Sequence, residues 1–176
     1  CWFGGVGVGW MNYFAFLIIA VFISGLMVGR TPEFLGHKVE AREMKIATLV
    51  VLMHPFLILV GTGISAAVAA ANPEIGWLNN PSFHGLSEML YEYTSAAANN
   101  GSGFEGLSDN TPFWNIMTGI ALIMGRYFPI VGQVAIAGML ASQKFVPERP
   151  GTLQNDTLTF PLITFAYNTL VATLPF

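Results

Sequence analysis

His84-Gly85-Leu86-Ser87-Glu88-Met89-Leu90-Tyr91-Glu92-Tyr93-Thr94-Ser95-Ala96-Ala97-Ala98 reads as a short helix, and it runs straight into Asn99-Asn100-Gly101-Ser102-Gly103-Phe104, a polar loop with two glycines and no basic residue nearby. Long apolar stretches flank the pair, from Ile46 to Ala71 before it and from Phe113 to Ala141 after it. At about 1.5 Å per residue, segment 84–98 barely reaches across a hydrocarbon core of about 30 Å, and it carries Glu88 and Glu92. It is expected to enter from one side and return to it. Ser82 or His84 is the expected cap at its start, and Asn99-Asn100-Gly101 is the kind of sequence that ends a helix. A surface amphipathic helix would carry lysine or arginine on its polar face, and this one has neither.

Working outward, Asn12 to Gly29 is an uncharged run long enough to cross a bilayer, and Ile46 to Ala71 is a second, with Pro55 as the place where it would bend. Phe113 to Ala141 is a third. The segment 157–176 is a weaker apolar run containing Pro161, Asn168 and Pro175, read as a last span. With 53% hydrophobic and only 10% charged residues, against roughly 25% charged in soluble domains, the chain cannot make a water-soluble surface. The expected fold class is an all-α, multi-pass membrane protein with transmembrane helices, a re-entrant pore helix over 84–98 and a filter loop over 99–104.

Four of the seven basic residues, Arg30, Lys38, Arg42 and Lys45, fall in the connector 30–45, among Glu33, Glu40 and Glu43. Lys144 and Arg149 mark a second basic loop, 142–156. Between Asn72 and Thr111 there is no lysine or arginine, although Glu74, Glu88, Glu92, Glu105 and Asp109 are present. The positive-inside rule therefore places 72–111 outside and both basic loops in the cytoplasm. The formal charge of −3 argues against a nucleic acid partner. One cysteine, Cys1, permits no internal disulfide, and from its start on cysteine the chain is expected to be a piece of a longer protein.

Irregular backbone at membrane depth is tolerated only inside protein or against a water-filled path. Loops that turn carbonyl oxygens toward an ion need residues that accept unusual dihedrals, which glycine does at least cost. Gly101 and Gly103 meet that need, and the C-terminal end of the preceding helix turns its negative dipole toward a cation. A second such loop, Gly4-Gly5-Val6-Gly7-Val8-Gly9, opens the chain just before the first span. The order is one and a half copies of a helix, pore-loop, helix unit, and transporters are commonly built from internal repeats. The glycine run fails the dinucleotide fingerprint, because Asn12 stands at the third glycine and an uncharged span follows. Asn100-Gly101-Ser102 reads as loop backbone rather than a glycan acceptor.

Among the remaining residues, Arg126 lies in mid-span, where a charge costs at least about 2.5 kcal/mol. An internal partner, or a role as an electrostatic barrier under the filter, is expected of it. Glu88 and Glu92 share a helix face at a four-residue spacing and are read as vestibule or hydrogen-bonding residues that set pore electrostatics. Gly25 and Gly29 form a small-xxx-small pair, read as close helix packing. His54 and His84 have no ligand partners at metal spacing, so no metal site built from side chains is expected. An intramembrane enzyme built on His84 and Glu88 would need a nucleophile or ligands that are absent from the sequence around them.

Several motifs in order carry a family resemblance: Gly4-Gly5-Val6-Gly7, Gly29-Arg30-Thr31-Pro32-Glu33-Phe34-Leu35-Gly36, Glu40-Ala41-Arg42-Glu43-Met44-Lys45, His84-Gly85 to Ser87-Glu88, and Ala97-Ala98-Asn99-Asn100-Gly101-Ser102. Asn110-Thr111-Pro112-Phe113-Trp114-Asn115, Gly125-Arg126-Tyr127 and Pro150-Gly151-Thr152-Leu153 extend it over nearly the whole chain. The sequence resembles the C-terminal third of the potassium-binding subunit family (KdpA) of the bacterial Kdp potassium-transporting ATPase. The resemblance implies four pore-loop repeats around a potassium filter in the bacterial inner membrane. It also implies a complex with small accessory subunits and a P-type ATPase subunit, the ATP being used by that partner only and not hydrolysed by this chain. Carried over position by position, Gly4, Gly5, Val6 and Gly7 would form the third filter strand and Asn99, Asn100, Gly101 and Ser102 the fourth, both binding potassium. Val8 stands where the family commonly has a small polar residue, and Gly103 and Glu105 where it has alanine, which implies a looser and more acidic rim. The alternative is a stand-alone channel-like potassium transporter using the same loops.

Overall fold

The computed structural model describes residues 5, 7–104, 106–145 and 157–173. Gly4, Val6, Glu105, Arg149, the motif 150–153 and Pro175 lie outside the described residues.

The order of elements is α1 (Val8–Val28), a two-stranded hairpin of β1 (Glu33–Phe34) and β2 (His37–Lys38), α2 (Ala41–Ala71), a single 3-10 turn (Pro73–Ile75), α3 (Phe83–Ala97), α4 (Pro112–Ser142) and α5 (Thr159–Thr173). Among the described residues, three helices are long and apolar enough to cross a membrane: Val8–Met27, Ala41–Ala71 and Pro112–Ser142. The chain is an all-α membrane protein. Its exposed side chains include Leu26, Leu52, Phe56, Leu59, Ile123 and Val134, apolar surface of a kind that water-soluble proteins do not gather on helix after helix. Helix α2, at 31 residues, spans about 46 Å and outruns a hydrocarbon core of about 30 Å; the excess of about three turns includes the first, with Arg42, Glu43 and Lys45.

That first turn differs from the sequence reading, which ran the connector to Lys45 and began the second span at Ile46. The Glu43 carboxylate accepts the Glu40 backbone N–H at 2.9 Å, a helix-start device in which the N3 carboxylate satisfies a donor the helix leaves free. The connector also holds a hairpin, with Glu33 opposite Lys38 and Phe34 opposite His37. Its two-residue turn, Leu35 and Gly36, takes positive φ at both positions, 51° and 76°, the geometry that matches strand twist.

The described residues of 11–51 and 131–173 form one compact unit. Its core joins Ile18, Val21, Phe34, Val39, Ala47 and Ile136. Gly25 serves this unit by letting Pro32 approach, since a β-carbon there would lie 3.0 Å from the Pro32 Cα. Gly29 has φ 69° and sits where the Arg30 N–H returns to the Gly25 carbonyl at 2.8 Å. It ends the helix rather than packing it, so the expected helix–helix contact of this glycine pair is replaced by a turn and a helix-to-connector contact.

The second unit comprises the described residues of 5–10 together with 52–130. Its core is aromatic: Trp77 stacks on Phe113 with centroids 4.8 Å apart, and the buried Trp114 contacts both Trp77 and Tyr93 at 5.6 Å. Helix α3 is locked to α2 by a buried Ser65–Tyr93 hydroxyl pair at 2.8 Å. Gly61 makes room for the same ring, because a β-carbon there would overlap it.

Candidate functional site

The loop after α3 takes its shape from the way that helix ends. Asn99 adopts a left-handed conformation, φ 59°, its N–H bonding to Ala96 O and the Asn100 N–H to Ser95 O, each at 3.0 Å. This is the paired closure of a helix whose next residue turns left-handed, with asparagine in the place glycine usually holds. Two residues on, the Ser102 N–H donates to Ser95 Oγ at 2.8 Å. In a trans peptide the carbonyl points opposite to the N–H that follows it. With the amides of Asn100 and Ser102 turned back to α3, the carbonyls of Asn99 and Gly101 face away from it. Gly101 has φ 73°, and a β-carbon there would meet nothing within 4 Å. Its need for glycine lies in the backbone and not in crowding.

The first glycine loop lies against this one. A β-carbon on Gly5 would overlap the Ala98 carbonyl oxygen and stand 2.8 Å from Asn100 Oδ1 and 3.1 Å from Asn99 O. Gly7 is left-handed, φ 86°, and the Gly9 N–H donates to Gly5 O at 2.8 Å. Of the eight residues named for the two loops, Gly5, Asn99 and Asn100 are thus brought together. Gly7, Gly101 and Ser102 lie in the same unit, and Gly4 and Val6 are outside the described residues.

Arg126 reaches the same loop. Its Nε donates to Asn99 Oδ1 at 2.9 Å, while Asn99 Nδ2 donates to Ala97 O at 3.2 Å and Leu122 O at 3.3 Å. The approach depends on Gly125, where a β-carbon would overlap the Ala97 carbonyl oxygen. Helix α4 therefore crosses the end of α3 at a glycine, and the next residue delivers a guanidinium.

Glu88 and Glu92 part company. The Glu88 side chain is buried and accepts three N–H groups, from Asn79 N and Asn80 N at 3.2 Å and from Asn80 Nδ2 at 3.0 Å. It pins the 79–80 turn, which is the hydrogen-bonding role of the two expected for it. Glu92 stays half-buried; a β-carbon on Gly103 would lie 2.8 Å from its Oε2, and that oxygen has no partner among the described residues. Burial, then the Asp109 carboxylate, raises the Glu92 carboxyl above the ordinary range. Ser82 occupies the position before α3 but makes no capping bond with its side chain, so Glu88 and the turn it holds organise that end. No group of three or more histidine, cysteine or acidic residues is placed to hold a metal ion among the described residues.

The sequence reading gave no site role to Ser95, Tyr91 or Gly125, although Gly125 stands in the motif Gly125-Arg126-Tyr127.

These features define a class: a multi-pass helical membrane protein that holds a glycine-bearing loop at the C-terminal end of a short helix, with its amides turned inward to that helix. The chain belongs to the potassium-transporting ATPase A subunit family (KdpA), whose model matches residues 1–176. It is similar to proteins named potassium-transporting ATPase potassium-binding subunit from Phocaeicola vulgatus (72% identical), Bacteroides thetaiotaomicron (68%) and Flavobacterium johnsoniae (58%). Each match covers 99% of this chain and 32% of the relative. The chain thus spans about a third of the length of the curated relatives it matches.

Proposed function

We propose that this chain supplies two of the pore loops of a potassium-binding and translocating subunit in an ATP-driven uptake pump of the bacterial inner membrane. The loops strip potassium of its hydration with backbone carbonyls and pass it onward, and a P-type ATPase subunit with small accessory subunits supplies the coupling to ATP. The observation that carries this reading is the alternation in 99–102. Two left-handed residues, Asn99 and Gly101, and two amides bonded to Ser95 leave alternate carbonyls facing away from α3, an arrangement suited to oxygens that replace water around a cation. The relatives' name, a potassium-binding subunit, supports the choice of ion. In this reading α3 enters the membrane from outside and returns, and α5 belongs to a last span over 157–176.

Gly101→Asp in the full-length protein and its complex tests the assignment. A side chain at φ 73° strains the loop, and it enters space in which a β-carbon meets nothing within 4 Å. Each 1.4 kcal/mol is about tenfold in relative affinity, so one displaced carbonyl should lower potassium affinity at least about tenfold and narrow its discrimination against sodium and rubidium. Gly25→Ala is unsuitable as a control because of Pro32; Gly138→Ala meets nothing within 4 Å and serves instead. Wild-type potassium affinity and selectivity in well-inserted Gly101→Asp would remove the filter assignment for 99–104.

A further inference from the structure

We propose that Ser95 is a positioning residue for ion selection: its buried hydroxyl fixes the peptide between Gly101 and Ser102, and thereby the direction of the Gly101 carbonyl. The proposal rests on the reading of 99–104 as a selectivity loop and deepens it.

Ser95 lies in the last turn of α3 and is fully buried, at 1% exposure. Serine and threonine hydroxyls inside helices ordinarily bond back to the carbonyl four residues earlier. Thr94 next door does so, to Leu90 O at 2.7 Å. Ser95 turns its hydroxyl the other way. Its Oγ accepts the Ser102 N–H at 2.8 Å and lies 3.0 Å from Ser102 Oγ. Outside this pair, Tyr91 OH lies 3.1 Å from Ser102 Oγ, and the Tyr91 ring meets Phe104 edge-on at 4.7 Å. One residue of α3 therefore holds two amides of the loop, Asn100 N–H through its carbonyl and Ser102 N–H through its side chain.

The two grips differ in kind. The bond to Asn100 is part of the helix ending and would survive most substitutions at 95. The bond to Ser102 exists only because residue 95 has a hydroxyl. Gly101, between the two held amides, is free to rotate more than any other residue type, and nothing packs on the side where a β-carbon would stand. Without the Ser95 hydroxyl the Ser102 N–H loses its partner on α3, the Tyr91 contact reaching only the Ser102 side chain, and the Gly101 carbonyl loses a fixed heading. A pore that discriminates by the field of several carbonyls then loses part of that discrimination before it loses throughput.

The test uses the full-length protein in its pump complex and compares Ser95→Ala, Thr94→Ala and Gly101→Asp by uptake of potassium, rubidium and sodium. Membrane insertion and melting temperature are followed in parallel. Ser95→Ala should lower apparent potassium affinity about tenfold and reduce potassium-over-rubidium discrimination, with a smaller change in maximal rate. Thr94→Ala removes the neighbouring hydroxyl, which bonds back to Leu90 O and not to the loop, and should stay within about threefold of wild type. If Ser95→Ala does not accumulate, Ser95→Cys, whose sulfur is a weaker acceptor, should give the same ordering with a smaller shift. Unchanged affinity and discrimination in the Ser95 variants, alongside a defective Gly101→Asp, would overturn the proposal and leave the loop reading standing. A Ser95 effect confined to maximal rate or melting temperature, or a Thr94→Ala defect as large as that of Ser95→Ala, would also overturn it. If Gly101→Asp itself behaves as wild type, the loop reading fails and this proposal falls with it.

Discussion

A single side chain, Asn99, joins the end of α3, the loop and α4. It tolerates the left-handed backbone better than other residues with a β-carbon, so it supplies both the φ of 59° and an amide group. Through that group it bonds Ala97 O and Leu122 O and accepts from Arg126. The guanidinium in turn gains a partner in a segment where an unpaired charge is costly. Asn99→Gly keeps the backbone conformation and removes the amide; Arg126→Met keeps length and removes the donor. In a double-mutant cycle on potassium affinity, the two changes should couple by on the order of 1 kcal/mol, because either one alone already breaks the bond. Strict additivity would show that the Arg126–Asn99 bond does not contribute, leaving Arg126 to act by charge alone.

At the scale of elements, α3 is held by close approaches that only glycine permits, and two glycines in α2 separate this effect from helix propensity. Gly61 and Gly63 stand two residues apart in Gly61-Thr62-Gly63, and each Gly-to-Ala change in a helix gains up to about 1 kcal/mol. A β-carbon at Gly61 overlaps the Tyr93 ring, whereas one at Gly63 meets nothing within 4 Å. Overpacking costs about 1–3 kcal/mol, so Gly61→Ala should lower the melting temperature of the purified full-length protein in detergent while Gly63→Ala leaves it level or raises it. Equal shifts of one sign would mean that the α2–α3 contact does not hold α3 in place. The sequence could not tell these glycines apart, since the difference lies in a ring about 30 residues away in the chain. The same limit explains the other misses. The spans were legible because length and hydropathy are local, and the ending of α3 because Asn-Asn-Gly is a local signal. The hairpin at 33–38 was not, because Leu35-Gly36 lacks the asparagine or aspartate that marks a two-residue turn. The start of α2 was hidden among charges that looked like a solvated connector, although Glu40 and Glu43 have the spacing of a capping pair. Glu88 was legible as a polar residue on α3 but not as the anchor of the turn at Asn79 and Asn80, and Ser95 looked like filler in an alanine-rich stretch.

For the whole molecule, the parity of crossings decides what α3 is. The basic residues Arg30, Lys38, Arg42 and Lys45 precede or open α2, and Lys144 follows α4. If α2 and α4 cross and α3 does not, these two groups lie on the same side, as the positive-inside rule requires. If α3 crossed as well, Lys144 would be carried outside, against the rule. At 15 residues, or about 22 Å, α3 is also shorter than the hydrocarbon core of about 30 Å. Single cysteines placed at Lys38, Glu74, Asn110 and Lys144, all exposed in the described structure, give a direct reading in a full-length protein stripped of its other cysteines. With a membrane-impermeant thiol reagent on intact cells, Glu74→Cys and Asn110→Cys should label, and Lys38→Cys and Lys144→Cys should label only after the membrane is opened. The informative pair is Glu74 and Asn110, which flank α3. Opposite labelling of these two would make α3 a crossing helix and remove the re-entrant loop. Outside labelling at Lys38 would invert the topology as a whole, and the carbonyls of Asn99 and Gly101 would then belong to a loop reached from the cytoplasm, incompatible with selection of potassium at the point of entry.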